Sequence, residues 1–260
     1  VKRELLNGIV NRINLVGIEL EGGWDKAVQG YEIIRDGSVK FDPPQGRYDY
    51  NPRTGEREFV LTGGKTAPKY AVGEIVSGRT GMKIAAIEPW LTRCYPQHVN
   101  ETCGLHVHMS FTNKLNYSRL MSQEYLDQMI RELRLWGERE GITDKRFWNR
   151  LDPNHPWTQQ HCAHLFLGDK QALIRKKDYN SRGTSHSRYT FINFCEAQHH
   201  TVEVRGLTMF EDSATAYKAI MCVLDTTNRF LSKIRQRERK VAVSIQERPV
   251  SYEEIGTVVV

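Results

Sequence analysis

Three short segments alternate an aliphatic residue with an ionisable one: Ile18-Glu19-Leu20-Glu21, Leu105-His106-Val107-His108-Met109 and Val202-Glu203-Val204-Arg205. Residues two apart in a β-strand point to the same face of the sheet. Each segment therefore directs aliphatic side chains to one face and carboxylates, imidazoles or a guanidinium to the other. An exposed strand would use Lys, Thr or Ser there, whereas Glu, His and Arg are residues that bind metals and phosphates. The pattern predicts a sheet with one face on the core and the other lining an ionic pocket.

The chain has 260 residues, 39% of them hydrophobic, enough for one sizeable core. The expected organisation is a single domain over residues 1–260. No run approaches the ~18 apolar residues of a membrane span, and the first residues lack a charged-then-apolar signal pattern. Five cysteines (Cys94, Cys103, Cys162, Cys195, Cys222) are widely spaced without a CxxC pair. The expected setting is thus the reducing cytoplasm, with no membrane partner. A formal charge of +6 suits anionic ligands such as nucleotide phosphates and is compatible with nucleic acid without requiring it.

Along the chain, residues 14–21 read as a strand and 31–35 as a second, with Asp36-Gly37 as a turn between strand-like runs. Residues 42–69 carry Pro43, Pro44, Pro52, Gly63, Gly64 and Pro68 and read as a long loop, a candidate lid. Residues 72–77 return to strand character. Residues 122–140 predict a helix: Ser122 is the N-cap, Tyr125, Met129, Leu133 and Trp136 form the stripe, and Gly141 is the stop. Residues 142–168 read as irregular and aromatic. Two adjacent strands are expected at 188–196 and 200–206, joined through Gln198-His199-His200. A second helix is expected from Asp212 or Ser213 to about Arg235, with Tyr217, Ile220, Met221, Leu224, Leu231 and Ile234 buried. The basic run Arg229, Lys233, Arg235, Arg237, Arg239 and Lys240 reads as a solvated helix end suited to the negative C-terminus, with a nucleic-acid patch as the alternative. Residues 241–260 read as a strand plus tail.

Each chemical motif has a bland counterpart. Glu19 and Glu21 repel on one face unless a cation lies between them or solvent screens them; hard oxygen ligands of this kind suit Mg²⁺ or Mn²⁺. His106 and His108 aim two imidazoles into one space, which fits a metal or phosphate site and equally an ordinary polar face. Glu203 and Arg205 read either as an exposed ion pair or as a metal ligand beside a phosphate clamp. Arg182 and Arg188 lie in a Gly/Ser-rich loop, 181–188. Glu74, between Gly73 and Ile75, needs a partner if buried. His155, His161, His164 and Cys162 match no strong zinc template.

In order, Gly17-Ile18-Glu19-Leu20-Glu21, Asp36-Gly37-Ser38, Gly73-Glu74-Ile75-Val76-Ser77, Gly104-Leu105-His106-Val107-His108, Arg188-Tyr189 through Asn193 and Thr201-Val202-Glu203-Val204-Arg205 resemble the motifs of the amidoligase family. These are glutamine synthetase-like carboxylate–amine ligases, in the same superfamily as glutamate–cysteine ligases. The resemblance spans about residues 14–210, and departs where Gly78 follows Ser77 in place of the family's frequent Pro. It implies an α+β fold with a curved, mainly antiparallel sheet, helices on its outer face and the active site in its mouth. It implies an ATP-dependent ligase that forms an amide or isopeptide bond through an acyl phosphate. One Mg²⁺ or Mn²⁺ ion would be held by Glu19, His106 and Glu203, and a second by Glu21 and Glu74. His108 would lie near the nucleotide phosphates, and Arg205, Arg188 and Arg182 would stabilise the transferring phosphoryl group. The implied partners are a carboxylate and an amine, the acceptor a small molecule, a peptide or an acidic macromolecule. Two other classes compete: a metal-dependent hydrolase using the HxH pair, and a non-catalytic basic binding protein.

Overall fold

A computed structural model describes residues 5–6, 9–41, 46–51, 56–61, 70–78, 80–164, 190–194 and 201–246. Two short strands, β1 (Leu5–Leu6) and β2 (Ile9–Val10), pair with each other. The first alternating segment lies within β3 (Ile13–Trp24), a strand of 12 residues. Then come β4 (Gly46–Asn51), β5 (Glu56–Leu61), β6 (Ala71–Val76), helix α1 (Ile87–Cys94) and β7 (Gly104–Phe111). Helices α2 (Leu115–Leu120), α3 (Gln123–Arg139), α4 (Lys145–Arg150) and α5 (Pro156–His161) follow. Strands β8 (Ile192–Phe194) and β9 (Val202–Thr208) and the long helix α6 (Ser213–Gln246) complete the described elements.

The fold is α+β. Strands β6, β3, β7, β9 and β8 form an antiparallel sheet, extended at one edge by the β4–β5 hairpin through a parallel Gly46–Ala71 pairing. Alternation assigns the faces. Val16, Ile18 and Leu20 of β3, Leu105, Val107 and Met109 of β7 and Val202 and Val204 of β9 are fully buried in one apolar cluster. Helices cover that face. Tyr125, Leu126, Met129, Leu133 and Trp136 of α3 pack with Ile220, Val223, Leu224, Phe230 and Leu231 of α6 in the same cluster. Burying side chains of this size contributes about 1.5–3 kcal/mol each. The buried Tyr125 and Thr227 hydroxyls share a 2.7 Å hydrogen bond that ties α3 to α6.

Local signals explain the helix boundaries. The Ser122 side chain accepts from Tyr125 N at 3.2 Å, and Gly141 takes φ +67° just beyond α3. Asp212 accepts from Thr215 N at 2.7 Å at the start of α6.

Five expectations change. Within 42–69, residues 46–51 and 56–61 form an antiparallel hairpin rather than a structureless loop; residues 42–45, 52–55 and 62–69 lie outside the described residues. Residues 31–35 are not a strand: Ile34 alone pairs, exchanging two 2.8 Å backbone hydrogen bonds with Glu74. Asp36-Gly37 makes no hairpin; Asp36 instead accepts from Ser38 N at 2.7 Å. Within 142–168, α4 begins where Asp144 accepts from Arg146 N at 2.9 Å, and α5 opens on Pro156. Each spans 6 residues, too short for its period to stand out in the sequence. Finally, α6 runs through residues 241–246, the start of the stretch 241–260 expected as a strand plus tail; propagation of a formed helix outweighs local preference. The turn at 198–200 and the tail from 247 lie outside the described residues.

Candidate metal centre

Strand pairing brings the alternating segments together on the face opposite the core. Glu19 stands beside His106 across β3 and β7, His108 beside Glu203 across β7 and β9, and Glu21 beside Glu74 across β3 and β6. Between Leu105 and Val107 the β7–β9 register shifts, so that Arg205 and Gly206 together stand opposite His106. Such a bulge re-aims a side chain. Gly206 suits it, because a Cβ there would meet the Phe191 ring at 1.9 Å.

Glu19, His106 and Glu203 present potential ligand atoms that all lie within 4.8 Å of one another. His106 Nδ1 is 2.9 Å from Glu19 Oε2 and 3.5 Å from Glu203 Oε1. His108 joins the same group: its Nε2 is 3.0 Å from Glu19 Oε1 and 3.7 Å from Glu203 Oε1. Asn193 Nδ2 donates to Glu203 Oε2 at 2.9 Å, and Arg205 Nη1 donates to Glu203 Oε1 at 2.8 Å. Arg205 therefore braces one of the candidate ligands.

Glu21, Asp36 and Glu74 form a second group, again with ligand atoms within 4.8 Å of one another. The Ile34–Glu74 bridge delivers Asp36 to it. That bridge needs glycine at 73, where a Cβ would lie 2.1 Å from the Ile34 carbonyl oxygen. His106 Nε2 lies 3.7 Å from Glu21 Oε1 and so stands between the groups. Gly104 N also donates to Glu21 Oε2.

The electrostatics follow from crowding carboxylates away from water. Burial alone would raise the Glu19 carboxyl, but hydrogen bonds from His106 and His108 outweigh it and hold the group well below its ordinary range. Burial likewise opposes ionisation of Glu203, while Arg205, His108 and His106 bring its pKa down. Burial would lower the His108 pKa, yet Glu203 and Glu19 raise it on balance. At Glu74 the balance reverses: burial, then Glu19 and Asp36, outweigh the opposing pull of His106 and push its carboxyl up to about 7. A buried carboxyl raised by neighbouring carboxylates fits a divalent ion, which would replace the protons that relieve repulsion. Five carboxylates against one imidazole in the two groups favour a hard cation such as Mg²⁺ or Mn²⁺.

All five expected metal-ligating residues, Glu19, Glu21, Glu74, His106 and Glu203, thus lie in two adjoining groups, with His108 and Arg205 on the first. Arg182 and Arg188 lie outside the described residues. Sequence reading placed Asp36 in a turn and both Asp36 and Asn193 in motifs of the resemblance, without a ligand or bracing role for either, and passed over Arg150. Arg150 is 3% exposed, donates to the Leu207 and Cys103 carbonyl oxygens at 3.0 and 2.9 Å, and lies 4.1 Å from the Trp157 ring centre. Its signal was the spacing Phe147, Arg150, Leu151, one face of a helical turn. Among the described residues no zinc-like group forms at 155–164: His164 Nε2 lies 2.9 Å from the Arg150 carbonyl oxygen and His161 packs on Trp157.

No protein family, no curated protein and no solved structure matches this chain.

Proposed function

We propose that the chain is an ATP-dependent carboxylate–amine ligase on a glutamine synthetase-like sheet, of the amidoligase type. One observation carries the reading: two acidic groups share His106 on one sheet face, built from the strands whose motifs resemble that family. Glu19, His106 and Glu203 would hold one Mg²⁺ or Mn²⁺ ion and Glu21, Glu74 and Asp36 another. When bound, such ions neutralise phosphate oxygens and orient the displacement.

Phosphoryl transfer asks a protein mainly for positioning and charge neutralisation. In this reading the acid's carboxylate oxygen attacks the γ-phosphorus of ATP and ADP leaves. The amine nitrogen then attacks the acyl carbon and phosphate departs. Arg205, fixed by Glu203, presents its planar fork to the anionic phosphoryl group, with Arg188 and Arg182 as further donors. His108 lies beside the phosphates. The hairpin within 42–69 serves as the lid that keeps water from the acyl phosphate. Free Cys94, Cys103, Cys162 and Cys222 suit a reducing cytoplasm, and the basic charge favours an acidic or polyanionic acceptor.

The test is an ADP-release screen with Mg²⁺ and ATP against pooled carboxylates and amines, with products read by mass spectrometry. An amide product that forms only with ATP supports the ligase. Cleavage of substrates without ATP, preferring zinc or manganese, would replace it with the hydrolase reading.

A further inference from the structure

Arg150 is a buried charge beside the metal centre to which the reaction above gives no task. It comes from α4 and is 3% exposed. Its guanidinium spans two strands: Nη1 donates to the Leu207 carbonyl oxygen of β9 at 3.0 Å, and Nη2 to the Cys103 carbonyl oxygen just before β7 at 2.9 Å. The Trp157 ring backs it, with the ring centre 4.1 Å from Cζ. The clamp therefore grips β7 and β9 beyond the register shift that separates them from His108 and Glu203.

Gly104 connects this clamp to the second acidic group. Glu74 faces Glu21 across β6 and β3, and Gly104 N donates to Glu21 Oε2. Glycine leaves the space above it open, and three polar groups converge there. A Cβ on Gly104 would lie 2.9 Å from Glu21 Oε2, 2.9 Å from His106 Nε2 and 3.2 Å from Arg150 Nη1.

Among the described residues the Arg150 hydrogen bonds go to carbonyl oxygens rather than to a carboxylate. Burial works against its charge, and Glu21 is a carboxylate that works for it. A planar fork can bridge two fixed carbonyls, which a lysine ammonium cannot reproduce. A positive charge beside a cation site weakens metal binding, whereas firmly held ligands strengthen it. The two effects open to Arg150 thus have opposite signs.

We propose that Arg150 is a positioning residue for the second ion: by clamping Cys103 and Leu207 it keeps the Gly104 N–H on Glu21 and sets the spacing of Glu21 from His106. This rests on Glu21, Asp36 and Glu74 being a cation site, and not on the ligase chemistry.

Mn²⁺ titration of the full chain, read by electron paramagnetic resonance, tests it, with circular dichroism to show that each variant is folded. The second ion is the one that Glu74→Gln weakens most. Arg150→Lys keeps the charge and Arg150→Met removes it, and both should weaken that ion by at least about tenfold while the first ion changes less. Native affinity in both folded variants would overturn the proposal. So would tighter binding in Arg150→Met with native binding in Arg150→Lys, which would leave Arg150 only a charge effect, or equal weakening of both ions, which would mean a general loosening. If neither Arg150 variant folds, Trp157→Leu, which removes the ring behind the guanidinium, should weaken the same ion, and native affinity there would overturn the clamp. A wild type with no Mn²⁺ ion sensitive to Glu74→Gln would overturn the cation site itself, and the proposal with it.

Discussion

Glu21 and Glu74 stand directly opposite each other on neighbouring strands, with ligand oxygens within 4.8 Å and Asp36 beside them. Like charges in that position destabilise a sheet. The Glu74 proton relieves the strain in the free protein, so this pair makes cation binding and pH inseparable.

The folded Glu74 carboxyl titrates at about 7 against an ordinary 4.5. Between those values the folded chain holds more of this proton than the unfolded chain. Its contribution is full below 4.5 and is lost as pH rises through 7. Glu19 and Glu203 act oppositely and lower: their contribution is present above the ordinary carboxylate value and lost as pH falls through their depressed values. A divalent ion competes with the Glu74 proton, so the rise in Tm caused by Mg²⁺ or Mn²⁺ should grow across this window. Scanning fluorimetry with and without metal checks this. Equal metal-induced shifts at about pH 5 and about pH 8 would remove the coupling, and Glu74→Gln should flatten it.

Glu203→Gln should lower metal-dependent ATP turnover by about 100-fold or more while the fold persists, because the amide still accepts from Arg205. Glu203→Ala should abolish turnover and also cost about 3 kcal/mol of stability by stripping the Arg205 guanidinium of its carboxylate. Steady-state ADP release and chemical denaturation separate the two effects. Wild-type turnover in either variant counts against the assignment.

Arg205→Lys tests the fork. A single ammonium keeps the charge yet cannot reproduce paired donors, so kcat should fall by at least about tenfold. Mn²⁺ affinity, read by electron paramagnetic resonance, should change less. A variant with unchanged kcat would confine Arg205 to bracing Glu203.

Gly104→Ala probes the packing of the centre. The added Cβ would lie 2.9 Å from both Glu21 Oε2 and His106 Nε2 and 3.2 Å from Arg150 Nη1. These are side-chain ends that can move, so the expected stability loss is about 1–3 kcal/mol. The displaced ligands should weaken metal binding by about tenfold. Native metal affinity in this variant would count against Glu21 and His106 as ligands of the two ions.

Trimming residues 45–66 should leave ATP hydrolysis but uncouple it from ligation, because an unshielded acyl phosphate meets water. The ratio of ADP to amide product reads this directly. Unchanged coupling dismisses the lid.

The sequence revealed the chemistry of the sheet face more readily than its assembly. Glu19, His106 and Glu203 were legible because a period of two encodes a face. Which residues become neighbours was not, since pairing joins strands far apart in the chain. Asp36 arrives through a single bridge at Ile34, which carries no periodicity. Arg150 was hidden in a six-residue helix whose apolar neighbours, Phe147 and Leu151, are too few to outline a stripe. The basic run on α6 misled because its charges, placed at a presumed terminus, lie within a helix that continues beyond them.

The extra residue at Arg205 and Gly206 lets Val204 and Leu207, three apart in the chain, both reach the core opposite Val107 and Leu105, which are two apart. Deleting Gly206 would restore an unbroken ladder and keep Leu207 opposite Leu105 on the apolar side, changing only how Arg205 is set against His106. A one-residue loss elsewhere in this strand has no such reserve and would turn the residues beyond it to the wrong side.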